Sequence, residues 1–249
     1  MNRFLKTALY AVAFFSVLGI TLVYFTIASN TSYQKDWNSL KQENTGKTLS
    51  EFMLFGLPPA AERFLKGWVS IGTEIRQSLS FSIQGKILQG KKWQSYTGEL
   101  LVTPFRGYLK RMRLPNGIAE EFLRDDRAYQ QFRVFGVFPS TKANDKQILQ
   151  KNFLKMLAFT TLYPTSFLLQ SGIGWQNIGN GEIRYKHQKQ VYQIISKESS
   201  YQIKKIGDNL TYRLDIQLVE TQQGLKIPHK FSLSANGKEV EQLVVHLVE

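Results

Sequence analysis

Three histidines, His187, His229 and His246, are the only imidazoles in this 249-residue chain. They fall in separate segments at no metal-ligand spacing, which points to structural or surface roles rather than a zinc site. There is no cysteine, so disulfides, thiolate ligands and thiol nucleophiles are all absent. Carboxylates come in two doublets, Glu120-Glu121 and Asp125-Asp126. Neighbours in a strand point to opposite faces, so neither doublet makes a natural acid/base pair, and charged strand faces explain both. Asn44-Thr45-Gly46-Lys47-Thr48 imitates the end of a phosphate-binding loop, but the full pattern needs glycine at position 41, which is Lys41. No serine sits in G-x-S-x-G. Asn30-Thr31-Ser32 and Asn209-Leu210-Thr211 are sequons that matter only in a eukaryotic secretory route. These residue types argue against an enzyme and imply no cofactor.

The aromatic residues are more suggestive. Trp93, Phe105, Phe135, Phe138, Tyr163, Phe167 and Trp175 bracket an apolar helix that itself carries Phe159. A sheet curled over that helix could leave an apolar cavity able to take an acyl chain. Trp93, Phe135, Phe138, Phe159, Tyr163, Phe167 and Trp175 are the candidate ligand-binding set. An ordinary packed core needs the same residues, and the two alternatives stay open at this level.

The elements that would position these residues begin with an address. Thr7 to Gln34 contains no charged side chain, and its core, Ala8–Ala28, is long enough as a helix to cross a bilayer core of ~30 Å. Tyr24, Phe25, Tyr33 and Trp37 suit the far interface. Arg3 and Lys6 precede the run, and a short basic end stays cytoplasmic, which places the rest of the chain outside. An uncleaved anchor is the expectation, and a signal peptide cleaved after Ala28 is its rival. The division expected is a tip and anchor over 1–28, a linker over 29–47 and an extracytoplasmic domain over 48–249. The formal charge is +13. Basic charge favours anionic lipid or nucleic acid, but no recognition-helix, RNP or zinc-finger pattern is present. A solvated basic surface is the plain explanation of the charge, and an anionic membrane surface the next.

Within the domain, Thr48 to Lys66 reads as helix in two pieces, with Pro59 in the first turn of the second. From Ile75 the apolar period becomes two, and Phe81 and Ile83 alternate with Ser80 and Ser82, as in a strand with one buried face. Further strands are expected at Trp93–Thr103, Phe105–Leu114, Glu120–Tyr129 and Gln131–Phe138. A helix follows, capped by Asn144 with Gln147 as its capping-box partner, and running through Phe159 to a break at Pro164 and Gly172. Strands return from Gly181 to Val248, with turns at Gly207-Asp208-Asn209, Gln223-Gly224 and Asn236-Gly237. The fold class expected is α+β: an antiparallel curled sheet or half-barrel on a long apolar helix, behind one transmembrane helix.

Several phrases together resemble a large uncharacterised bacterial family. Leu57-Pro58-Pro59-Ala60-Ala61-Glu62-Arg63-Phe64-Leu65 is similar to its "LPxPVxRYL" opening. A Trp-led strand at Trp93 and Thr97 follows, then Asp126 to Tyr129, similar to a "D-x-Y" strand but spaced one residue wider. Leu157 to Leu169, LAFTTLYPTSFLL, resembles the "LAExxWxPTALL" helix end, and Gly174-Trp175 and Gly224-Leu225-Lys226-Ile227-Pro228 resemble later elements. The resemblance implies a fold similar to periplasmic lipoprotein carriers, with an apolar inner face, and implies no activity. Phe159 stands where the family motif has an acidic residue, which removes any proton or cation role for that carboxylate. The expectation is a domain on the inner membrane, single-pass, binding a lipid-like ligand or a lipidated partner. The alternative is an envelope assembly protein that docks another protein.

Overall fold

The computed structural model describes residues 3–248 except 43–45, 126, 137, 144, 164, 166–167, 169–173, 178–181, 188–189, 198–199, 207–209 and 223–224. Asn144, Pro164, Phe167, Gly172 and the turns around Gly207-Asp208-Asn209 and Gln223-Gly224 lie outside the described residues.

The chain opens on one unbroken helix, α1 (Arg3–Leu40), followed by α2 (Glu51–Leu54) and α3 (Pro59–Trp68). Strands β1 (Leu79–Gln89), β2 (Lys92–Thr103), β3 (Gly107–Leu114), β4 (Gly117–Arg124), β5 (Arg127–Val134) and β6 (Phe138–Ala143) form an outward meander. Helix α4 (Lys146–Thr160) then carries the chain to the other edge. A second meander returns through β7 (Gly174–Asn177), β8 (Glu182–His187), β9 (Gln190–Lys197), β10 (Ser200–Lys205), β11 (Thr211–Gln222), β12 (Leu225–Ala235) and β13 (Lys238–Val248). The strand order is β6-β5-β4-β3-β2-β1-β13-β12-β11-β10-β9-β8-β7, and the pairs are antiparallel. First and last strands therefore meet in the middle, with Phe81 opposite Leu247 and Ile83 opposite Val245. The fold is α+β, with a large antiparallel sheet and helices on it.

Both faces of β2–β5 are covered, which explains why Leu100-Leu101-Val102-Thr103 is buried without interruption. On the inner face α3 and α4 pack Phe64, Leu65, Leu154, Leu157 and Phe159 against Phe81, Tyr108, Leu123, Tyr201 and Leu214. On the outer face the last turns of α1 pack Tyr33 and Leu40 on Leu101, Leu109 and Phe122.

Several expectations change here. The segment 29–47 reads as a linker, yet the helix continues through Leu40, with Ser29, Tyr33, Asp36 and Leu40 buried. The face that meets the sheet includes Ser29, Tyr33 and Asp36 while Thr31, Ser32, Gln34, Lys35 and Asn38 face water, so no sustained apolar period marks the stretch. The expected strand Glu120–Tyr129 is two strands, turned at Asp125 in the left-handed region (φ 52). An acidic residue tolerates that conformation, so neither Gly nor Pro announces the turn. The cap of α4 is Asp145, whose carboxylate accepts from the Gln147 amide at 3.0 Å.

Candidate functional site

The inner face holds a buried ion cluster. Alternation along β3 turns Lys110 inward and Arg111 outward, so the densest basic run of the sequence divides between two faces. Lys110 pairs with Glu241 of β13, and Lys155 of α4 donates to both carboxylate oxygens of Glu121 at 2.7 and 2.8 Å. Tyr96 donates to Glu241 at 2.6 Å and Tyr108 to Glu121 at 3.3 Å. The Lys110 ammonium also stands 5.2 Å from the Tyr96 ring centre and 5.7 Å from that of Phe159. Burial pushes Glu121 up, but the ammonium groups of Lys155, Lys110 and Lys151 outweigh it and hold the carboxyl at about 2. Burial pushes Lys155 down, yet Glu121 beside it leaves its ammonium above the ordinary range. Lys110 is left below its ordinary value, chiefly by burial. These charges are all nearly closed to solvent. Such a cluster neutralises itself and orients the strands, but offers no substrate a way in.

The outer face holds the joint between α1 and the sheet. Glu120 points here, between Arg133 at 2.9 Å and Arg111 at 3.2 Å. Arg111 lies 4.4 Å from the Tyr33 ring centre and donates to Asn30 at 2.8 Å. Tyr33 donates to Glu99 at 2.8 Å. Asp36 accepts from Arg127 at 2.7 Å and from Tyr129 at 3.0 Å. Thr103 donates to the Leu40 carbonyl at 2.7 Å, closing the end of the helix. The glutamate doublet thus divides between faces as strand alternation requires, and both faces turn out to be buried.

The aromatic set does not assemble in one place. Phe159 and Tyr163 are core residues, 1% and 2% exposed. Trp93 and Phe135 face solvent at 41% and 80%. Phe138 lies in β6 and Trp175 in β7, their side chains outside the described residues, as is the whole of Phe167. A hollow beside α4 would leave surface on its lining. Met156, Leu157 and Leu162 have none, so the space around them is filled. A shallow trough of about 380 Å³ lies instead on the outer face, between the side chains of Gln84, Lys86, Gln217, Lys230 and Gln242. Its surface is mostly apolar, with amide and ammonium groups around it.

His229 and His246, far apart in sequence, stack edge to face at 4.6 Å because β12 and β13 are neighbours. No group of three His, Cys, Asp or Glu able to hold a metal is present among the described residues. Sequence reasoning missed Lys110, Lys155, Glu241, Tyr96 and Tyr108. The one local signal was Lys155 inside an apolar helix; Tyr108 meets Glu121 only 13 residues on, but Lys110 and Tyr96 meet Glu241 across 131 and 145 residues.

The described chain contains one helix, α1, long and apolar enough to cross a membrane. Comparison with known proteins adds a family. The pattern of a family of unknown function, DUF6544, matches residues 47–197, more than half of the chain. Curated proteins provide no match. Among solved structures, a LolA superfamily protein from Nitrosomonas europaea is 9% identical over 80% of this chain and 92% of its own, with a TM-score of 0.36. A domain described as an outer membrane lipoprotein-sorting protein, from Vibrio parahaemolyticus, is 7% identical over 69% and 83%, with a TM-score of 0.33. A DUF1329 family protein from Desulfovibrio piger is 10% identical over 70% and 84%, with a TM-score of 0.31.

Proposed function

The chain belongs to the DUF6544 family of unknown function, and on that premise we propose that it is a membrane-anchored docking domain of the cell envelope. It binds a protein partner, where the alternative is to enclose a lipid-like ligand or the lipid of a modified partner. Its short basic end, Arg3 and Lys6, stays cytoplasmic and its sheet stands outside.

The observation that carries this reading is the filled interior. Leu154, Met156, Leu157, Phe159, Leu162 and Tyr163 are 0–2% exposed, and the charges among them are paired. An acyl chain beside α4 would have to displace packed side chains and unpair buried ions, each a cost of several kcal/mol. Apolar surface is offered on the outside instead. Phe52 and Phe55, one helical turn apart, are 85% and 87% exposed. They lie beyond the end of α1 that is remote from the span. Backbone bonds from Leu49 to Thr73 and from Gly72 to Leu49 hold the segment that carries them.

The test places a photoreactive residue at the exposed Glu51, beside both rings, in the full chain in cells, with native mass spectrometry on the purified protein. One stoichiometric protein adduct is expected, lost in the Phe52→Ser, Phe55→Ser double variant, with no retained lipid. A bound acyl lipid that survives detergent exchange, with no protein adduct, would overturn the reading in favour of lipid binding.

A further inference from the structure

The joint between α1 and the sheet sets the direction in which the span leaves the domain. Between Tyr33, which meets Glu99, and Leu40, which meets Thr103, α1 climbs about 10 Å at its rise of about 1.5 Å per residue. From Glu99 to Thr103 strand β2 covers about 13 Å at about 3.3 Å per residue. Helix and strand therefore run nearly side by side in the same sense. Upstream of Tyr33 the helix heads for the other end of the sheet, where the β1–β2, β3–β4 and β5–β6 turns lie.

By the rise of helix and strand, those turns lie beyond the end of the apolar span. From Tyr33 back to Ala28, where the apolar span ends, α1 descends about 8 Å. From Glu99 back to Lys92 the strand descends about 23 Å. On β5, Tyr129 meets Asp36, and Phe135 lies about 20 Å further down, against about 12 Å for α1 from Asp36 to Ala28. Residues 8–28 are almost wholly exposed, so the tips stand aside from the helix. Strand twist and tilt of the span shorten these descents along the bilayer normal, which suits tips at the headgroup level rather than in the hydrocarbon.

The chemistry of these tips differs from that of the opposite end. Trp93 and Phe135 are exposed here, and Phe135 sits at a turn with φ 50, held there by its amide on the Asn116 carbonyl. Lys91 and Lys92 are exposed beside Trp93. Arg113, 65% exposed, ends β3 with Glu99 3.8 Å away. Ile206, 42% exposed, follows Lys204 and Lys205 at the same end of the sheet, where its amide bonds to the Val191 carbonyl. The far end, where α1 stops, is mixed in charge: Asp125 of the β4–β5 turn lies 3.6 Å from Arg124, and Arg127 pairs with Asp36. Aromatic rings between ammonium groups are the residue types that settle at a lipid headgroup layer.

We propose that this turn end of the sheet, with Trp93 and Phe135 as wedges and Lys91, Lys92 and Arg113 around them, rests on the anionic surface of the bilayer that α1 crosses. The inference depends on α1 being the anchor, and deepens that reading by giving the domain a second membrane contact. The occupant is the headgroup layer itself, since the rigid helix brings these tips to it whether or not a partner is bound. Two of the aromatic residues read from the sequence as ligand-binding thus face lipid as a surface.

The test uses the full chain in nanodiscs containing phosphatidylglycerol. The absence of cysteine allows single nitroxide labels at Lys91→Cys and Trp93→Cys at the tips, at Arg124→Cys at the far end, and at Val17→Cys in the span. Collision rates with a water-soluble relaxation agent are expected to fall at least threefold at the tips relative to position 124, and the tip shielding to weaken in phosphatidylcholine alone. Equal rates at 91, 93 and 124, with position 17 shielded, would overturn the tip contact and leave the anchor standing. A water-exposed label at position 17 would remove both.

Discussion

Paired charges close to solvent are the residue-scale fact that governs this core. Glu121 has an ordinary carboxyl value of 4.5 when unfolded and sits at about 2 when folded. A lowered carboxyl contributes stability that is present above the unfolded value and lost as pH falls towards the folded one. That gap of about 2.5 pH units corresponds to about 3 kcal/mol. Acid unfolding followed by circular dichroism should therefore steepen between pH 4.5 and 2, and Glu121→Gln should flatten that region. An unchanged acid profile in the variant would mean that another group carries it. The sequence showed Glu120-Glu121 as a doublet on opposite strand faces, but not that both faces are covered. A buried carboxylate and an exposed one look alike until the lysine from α4 is placed.

At the scale of elements, α1 serves two environments. Its first part is uncharged and uncovered, whereas Tyr33, Asp36 and Leu40 are buried on the sheet. Removing that cover exposes Leu101, Leu109 and Phe122, each worth about 1.5–3 kcal/mol of burial. A fragment of residues 29–249 should melt cooperatively as a monomer, whereas residues 48–249 should melt well below it and bind a hydrophobic dye. Equal melting temperatures would show that the helix merely leans on the sheet. The helix end was illegible because Tyr33, Asp36 and Leu40 are spaced along a polar stretch whose partners are Glu99, Arg127 and Thr103. The β4–β5 turn was illegible because Asp125 takes a left-handed conformation without a glycine. The alternation that marks β1 was legible, since Phe81 and Ile83 face the core.

For the molecule as a whole, the consequence of an unbroken α1 is a domain fixed to its apolar N-terminal segment. A flexible tether would let the domain sweep over tens of ångströms, whereas a helix transmits the tilt of the span to the sheet. In nanodiscs, a label on the domain should show anisotropy decay at the tumbling time of the disc. Inserting Gly-Ser-Gly-Ser after Ala28 should add a nanosecond component. Fast decay in the parent chain would restore the linker. The +13 charge belongs to this scale too, because Lys91, Lys92 and Arg113 are exposed at the tips while Lys110 and Lys155 are buried and neutralised.

By itself, the sequence determined the apolar helix, the absence of thiol chemistry, the alternation of strands and the α+β class. These are properties of composition and of periods a few residues long, set by how side chains alternate along one element. Only the tertiary structure decided that the two meanders join through β1 and β13, that α4 fills the space it crosses, and that α1 is fastened to the sheet. Those outcomes depend on which distant residues meet. Lys110 and Glu241 carry no mark of each other in sequence, and burial turns their charges from surface features into part of the core.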